Sequence, residues 1–144
     1  MLKSDQIVLG ESIKMGDDLY SADCGGAVRS CYISFTTKEE TAKGDVVHLA
    51  TLNPGAIRIH GLLSSLKTNE KYSLGFMDYQ DKMGRKAAGD DKGFDKKLTG
   101  TPLSNFNANT CFMQTQDGVR VIATALVSSK KGTTIEGVIY YTNN

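Results

Sequence analysis

Two histidines, sixteen carboxylates and three cysteines hold most of the reactive chemistry of this chain. His48 and His60 lie on two alternating segments, 46–52 and 57–60, that flank Asn53-Pro54-Gly55-Ala56. If those segments pair as a hairpin, the two rings approach each other, and two imidazoles with a carboxylate could hold zinc or iron. No His or Cys stands at CxxC or HExxH spacing and no third ligand is marked, so the expectation is two structural histidines and no metal. Asp78, Asp81, Asp90, Asp91 and Asp95 concentrate acid in one stretch. Such a cluster could ligate calcium or supply the acid and base of glycoside hydrolysis. It lacks the fixed oxygen spacing of a calcium loop, and Lys82, Arg85, Lys86, Lys92, Lys96 and Lys97 interleave with it, which is the pattern of a solvated mixed-charge loop.

Nucleophile motifs are missing as well. There is no GxSxG elbow, no cysteine in a catalytic signature and no serine with an identifiable base. Residues 10–16, GESIKMG, do not end in the GK[ST] of a phosphate-binding loop. Met15, Met77, Met83 and Met113 form no stripe, and Lys130-Lys131 sits at a loop tip. The expectation is a protein that is not an enzyme, with no catalytic residue and no cofactor.

The elements that position these side chains read as strands. The chain has 144 residues with 40% hydrophobic and 23% charged residues, enough for one domain with its own core. Seventeen basic residues face sixteen acidic ones, so no net field favours nucleic acid or a membrane surface. Asp5 and Gln6 stand where a secretion signal would carry its apolar centre, so Cys24, Cys31 and Cys111 are expected as free thiols, although a Cys24–Cys31 bridge is geometrically open. Fifteen glycines against two prolines suit β-structure with tight turns. Residues 27–37, 46–52, 57–60, 72–79, 110–114, 119–127 and 133–141 alternate in hydrophobicity, the mark of half-buried strands. Val121, Ala123, Ala125, Ile57, Ile59 and Leu74 are expected to point into the core.

Pro54 and Gly55 suit the two central positions of a type II turn, and Gly61-Leu62-Leu63 suggests a bulge or bend. The loop Ser128-Ser129-Lys130-Lys131-Gly132 between two alternating runs predicts a hairpin. Residues 80–105 exceed the usual loop length and suggest a functional or mobile insertion, with a helical turn over Asp91 to Leu98. Residues 1–26 read as an arm with one apolar patch, Ile7-Val8-Leu9, before the glycines Gly25 and Gly26.

The stretch GDVVHLATLNPGAIRIHGLLSS, the YSLGF strand and the GTTIEGVIYYT ending together resemble the small auxiliary capsid proteins of tailed bacteriophages, the cement or decoration proteins. The matching residues are Gly44-Asp45, Leu52-Asn53-Pro54-Gly55-Ala56, Tyr72-Ser73-Leu74-Gly75, Ile122-Ala123-Thr124, and Gly132-Thr133-Thr134 through Gly137-Val138-Ile139-Tyr140. The chain departs from the pattern in Asn53 before the proline and in its long charged insertion. The resemblance implies an all-β antiparallel sandwich of jelly-roll type over residues 27–144 with an extended N-terminal arm, residues 1–26. It implies a virion protein, made in the host cytoplasm, on the outer capsid surface. Its partners would be the major capsid protein and other copies of itself as dimer or trimer, with no nucleic acid and no membrane. The arm, with Ile7, Val8 and Leu9 as candidate contacts, would clamp neighbouring capsomers, adding a strand to a partner's sheet.

Two other classes fit the residues. A carbohydrate- or receptor-binding sandwich would use Tyr79, Tyr140 and Tyr141 as stacking platforms. A metal enzyme of double-stranded β-helix type would be built on His48 and His60. The metal-free reading is checked by elemental analysis of the purified protein: stoichiometric zinc or iron, lost in the His48→Ala/His60→Ala double variant, would overturn it.

Overall fold

A computed structural model describes residues 2–3, 28–100, 102–106 and 112–143. Its strands are, in chain order, β1 (Leu2–Lys3), β2 (Arg29–Thr36), β3 (Val46–Leu52), β4 (Gly55–Ile59), β5 (Ser65–Thr68) and β6 (Tyr72–Phe76). They continue with β7 (Tyr79–Gln80), β8 (Lys86–Ala87), β9 (Asp90–Asp95), β10 (Phe112–Thr115), β11 (Val119–Ala125) and β12 (Thr134–Asn143). No helix occurs among the described residues. One sheet runs β1-β3-β11-β6-β9; the other runs β10-β4-β12-β2, with β5 also on β12; β7 and β8 form a small ribbon.

Eight of these strands pair first with last: β2 with β12, β3 with β11, β4 with β10 and β6 with β9. Successive pairs alternate between the two sheets. A long antiparallel ribbon rolled in this way is a jelly roll, the architecture that the resemblance implied.

Burial follows the alternation. Val121, Ala123, Ala125, Ile57, Ile59 and Leu74, the six expected core residues, are all buried. Along β12 the odd positions Ile135, Ile139 and Tyr141 face inward, while Glu136 is exposed. Gly137 shares the inward parity. A Cβ there would collide with the Ser65 carbonyl oxygen, and its φ of 154° is one that other residues rarely adopt, so glycine lets β5 reach β12.

Three local readings do not hold, two of them for one reason. Strands β11 and β12, read as a hairpin, lie in different sheets, and so do β3 and β4 on either side of Pro54-Gly55. Facing sheets are about 10 Å apart and paired strands about 4.8 Å, so a short connection spans either gap. A turn signal therefore cannot distinguish a hairpin from a sandwich corner. Gly55 does take positive φ, at 132°. The third failure is the helical turn over Asp91 to Leu98. Residues 90–95 are instead strand β9, because Phe94 is fully buried between the rings of Phe76 and Phe106, at 5.3 and 6.0 Å, and β9 pairs with β6.

Residues 96–100 and 102–106 then cross between the two sheets. Leu98 N–H donates to the Tyr72 carbonyl, Leu103 N–H to Gly61 and Asn105 N–H to Phe94, while Gly100 bridges to Leu66 of β5. The long insertion is largely structural closure. Replacing Gly137 with alanine is expected to cost at least about 2 kcal/mol, because backbone stands on the side where the methyl must go. A lower urea midpoint at unchanged slope would show it; an unchanged midpoint would mean that β5 does not pack on β12 this closely.

Candidate interaction surface

Several of the reactive side chains are held in structural hydrogen bonds. His48 is buried in β3, its Nε2 lying 3.0 Å from the Thr51 hydroxyl and 3.1 Å from the Ala50 carbonyl. A carbonyl only accepts, so this nitrogen carries the proton and donates. His60 lies just past β4, on the turn of the opposite sheet, so the hairpin that would have brought the two rings together is not formed. No cluster of three ligating residues exists among the described residues.

The aspartates shape turns. Asp81 Oδ1 accepts from Met83 N–H and Arg85 N–H, each at 2.9 Å. Asp78 Oδ1 accepts from Gly89 N–H at 2.7 Å, and its other oxygen lies 3.1 Å from Lys86 Nζ. Asp90 caps Lys92 N–H, and buried Asp95 accepts from Lys97 N–H and Ser104 Oγ. These are local side-chain turns with no shared centre for an ion. The same bonds lower two pKa values. Asp78 is held below the ordinary carboxylate value first by Gly89 N–H and then by Lys86, and Asp81 first by Arg85 N–H.

Cys31 is a free thiol, and burial pushes its pKa up to about 11, which keeps it protonated. Cys24, Cys111 and the arm candidates Ile7, Val8 and Leu9 lie outside the described residues. Tyr141 is buried in the core, which removes one of the three candidate sugar platforms, and Tyr79 is half-buried against Phe76 at 6.1 Å. A hollow of about 830 Å³ at one end of the sandwich is lined by Glu40, Asp45, Glu70, Lys130 and Lys131 among others, with both signs of charge and no aromatic ring.

What the surface does display is apolar. Residues 60–64 leave the line of β4 and re-enter it as β5, so five residues stand beside Ile139 and Tyr140 of β12. The excursion is braced. The His60 carbonyl accepts from Leu63 N–H, Ser64 N–H and Ser64 Oγ, and Ser64 Oγ also accepts from Tyr140 N–H at 2.9 Å, filling the missing ladder position. At its tip Leu62 is 85% and Leu63 61% exposed. Two adjacent leucines held out on a braced turn form a preorganised apolar knob, and such exposure marks contact surfaces.

Beside the knob lies the outer face of the β2–β12 sheet. Register places Tyr32 opposite Val138 and Ser30 opposite Tyr140. Val28 and Tyr32 are exposed, and the outward row of β2, Ser30, Tyr32, Ser34 and Thr36, carries no charge. At the other end of this sheet Arg58 lies over the Phe112 ring, 5.2 Å from its centroid. The sequence reading passed over Leu62, Leu63, Val28 and Tyr32. The available signal was the apolar pair after Gly61, where alternation breaks without any turn polarity.

No family model matches this sequence, and no curated protein matches it. Among solved structures, a chain of the Cyanophage Pam1 capsid asymmetric unit has the same fold, with a TM-score of 0.53 at 14% identity. The match covers 83% of this chain and 87% of that one, so the two are similar in length and share the fold nearly end to end.

The turn carboxylates give a pH prediction. Asp78 and Asp81 bind protons less readily folded than unfolded, so the ordering they contribute is present above 3.8 and is lost as pH falls below it. The amide resonances of Met83, Arg85 and Gly89 are expected to move together with a midpoint below 3.8, with the sandwich signals unchanged. A midpoint at or above that value would show that the turn bonds do not persist in solution.

Proposed function

We propose that this chain is a structural virion protein that binds the outer surface of a phage head and cements neighbouring capsomers. The observation that carries the reading is the jelly roll shared over most of both chains with a component of a phage capsid. The chemistry agrees with it: His48, Asp78, Asp81, Asp90 and Asp95 are committed to hydrogen bonds that shape the fold, while the exposed features are an apolar knob and the uncharged outward row of β2.

Cementing needs no reaction. A protein that binds only the assembled shell stabilises it by mass action, and many weak copies on a symmetric lattice act together. In this reading Leu62 and Leu63 seat in an apolar depression of the major capsid protein. The arm, residues 1–26, reaches a neighbouring subunit through Ile7, Val8 and Leu9, adding main-chain hydrogen bonds to a partner's sheet edge. The described start of the chain already pairs in this manner: Leu2 and Lys3 lie parallel to Val47 and His48 on the edge of β3.

The test uses emptied phage heads. The intact chain is expected to co-sediment with heads and raise their rupture temperature. Deleting residues 1–26 is expected to leave a folded sandwich that no longer protects them. The Leu62→Ser/Leu63→Ser variant is expected to keep its folding stability within about 0.5 kcal/mol, as exposed positions allow, and yet bind heads at least tenfold more weakly. Full binding by both variants removes this contact scheme. An intact chain that binds no capsid lattice but retains a glycan turns the assignment to a carbohydrate- or receptor-binding sandwich.

A further inference from the structure

The sheet edges are treated unequally. On the first sheet, the edge of β3 carries β1, and β9 at the other edge begins with exposed Asp90, Asp91 and Lys92 and receives Asn105, which donates to the carbonyls of Phe94 and Lys92. On the second sheet, β10 is only four residues long, and residues 80–81 lie beside its end through the Asp81–Thr115 bridge and the Gln116 N–H to Gln80 bond. Short length, charge and cover are the usual protections against edge-to-edge pairing.

Strand β2 has little of this: it is long, its only charge is Arg29 at its start, and no described strand covers its outer side. It runs eight residues in unbroken register with β12 and contains no proline, no lysine and no bulge. No strand among the described residues pairs with its other side. Thr37 N–H donates to the Thr133 carbonyl, so alternation turns the odd residues of β2 toward β12 and the even ones outward. The N–H and C=O groups of Ser30, Tyr32, Ser34 and Thr36 therefore form an open template.

We infer that β2 is a self-association edge that pairs antiparallel with β2 of a second copy across a two-fold axis at Tyr32. Self-complementarity selects this occupant. An axis at Tyr32 sets Val28 opposite Thr36, Ser30 opposite Ser34 and Tyr32 opposite itself, using every outward backbone position. Because these pairs match even with even, Ile33 and Phe35 of both copies stay on the core side and the sandwich continues across the axis. The joined outer rows bring no charge against a like charge, since that row of β2 has none. Exposed Val28 and Tyr32 gain apolar cover at the seam. A closed two-fold contact of this kind gives a dimer and not an open fibre.

The test is made on the full chain in solution, independently of any capsid. One strand pair is a small interface, so sedimentation velocity is expected to show the mass rising from 15.6 kDa toward a dimer with a Kd between about 1 μM and 1 mM. At high concentration the outward amides of Ser30, Tyr32, Ser34 and Thr36 are expected to exchange at least tenfold more slowly than at low concentration. Ser34→Pro removes one outward donor while sparing the ladder to β12, and is expected to abolish dimerisation. Ser34→Lys, a milder variant, is expected to weaken it at least tenfold by setting lysines near the two-fold. A chain that stays monomeric to 1 mM overturns the proposal. So does a dimer in which those four amides gain no protection, because it would use another surface.

Discussion

The pairing of β12 is the constraint on which the rest of the structure depends. This ten-residue strand holds β2 along one side and both β4 and β5 along the other. As the last strand of the ribbon it pairs with the first, β2, and its bonds to β4 and β5 are what roll that ribbon closed in this sheet. The joint tolerates little change, since Gly137 must stay bare for the Ser65 backbone to approach. On the same side, Ser64 replaces a main-chain partner for Tyr140 where residues 60–64 leave the line. The exposed leucines at 62 and 63 are therefore held by the central joint of the fold and not by a free loop.

Polar chemistry in this molecule is organised locally. A carboxylate that accepts two or three backbone N–H groups two to four residues away fixes a turn and, in the same act, loses the freedom to serve as base or ligand. Asp81 behaves this way, accepting from Met83 N–H and Arg85 N–H, while Asp90 and Asp95 each accept one backbone N–H two residues on. His48 is committed to Thr51 and Ala50 in a comparable manner. With these groups committed, the surface that remains for recognition is apolar contact and open backbone. That is the kind of surface by which one protein fits into a larger assembly.

The two halves of the interaction surface rest on different physics. The leucine knob gains from burying apolar area that is already held in place, so little ordering entropy opposes its contact. The β2 edge gains from main-chain hydrogen bonds whose donors and acceptors are presented at fixed spacing. Both lie on the β2–β12 sheet, whereas the edges of the other sheet carry β1 at β3, and charge with cover at β9. The molecule therefore has a more sociable face and a more protected one, although its net charge is nearly neutral.

How much was legible in the sequence depends on the range of the signal. Alternation is a property of neighbouring residues, so strand positions and inward faces could be read directly, and Val121, Ala123, Ala125, Ile57, Ile59 and Leu74 proved to be core. The Pro54-Gly55 turn and the break at Gly61 were equally local. Pairing is not local. Whether β11 turns back on β12 or crosses to the other sheet depends on which edges distant strands have already claimed, and β3 and β6 flank β11 while β2, β4 and β5 flank β12. For the same reason no hairpin joins His48 to His60, and residues 90–95 became a strand once Phe76 and Phe106 enclosed Phe94. The sequence by itself determined where most of the long strands run and which of their faces are apolar, because alternation is set by backbone geometry at each residue. Only the tertiary structure decided which strand edge is left open and which leucines stand out in solvent, because exposure is what remains after every long-range contact has been made.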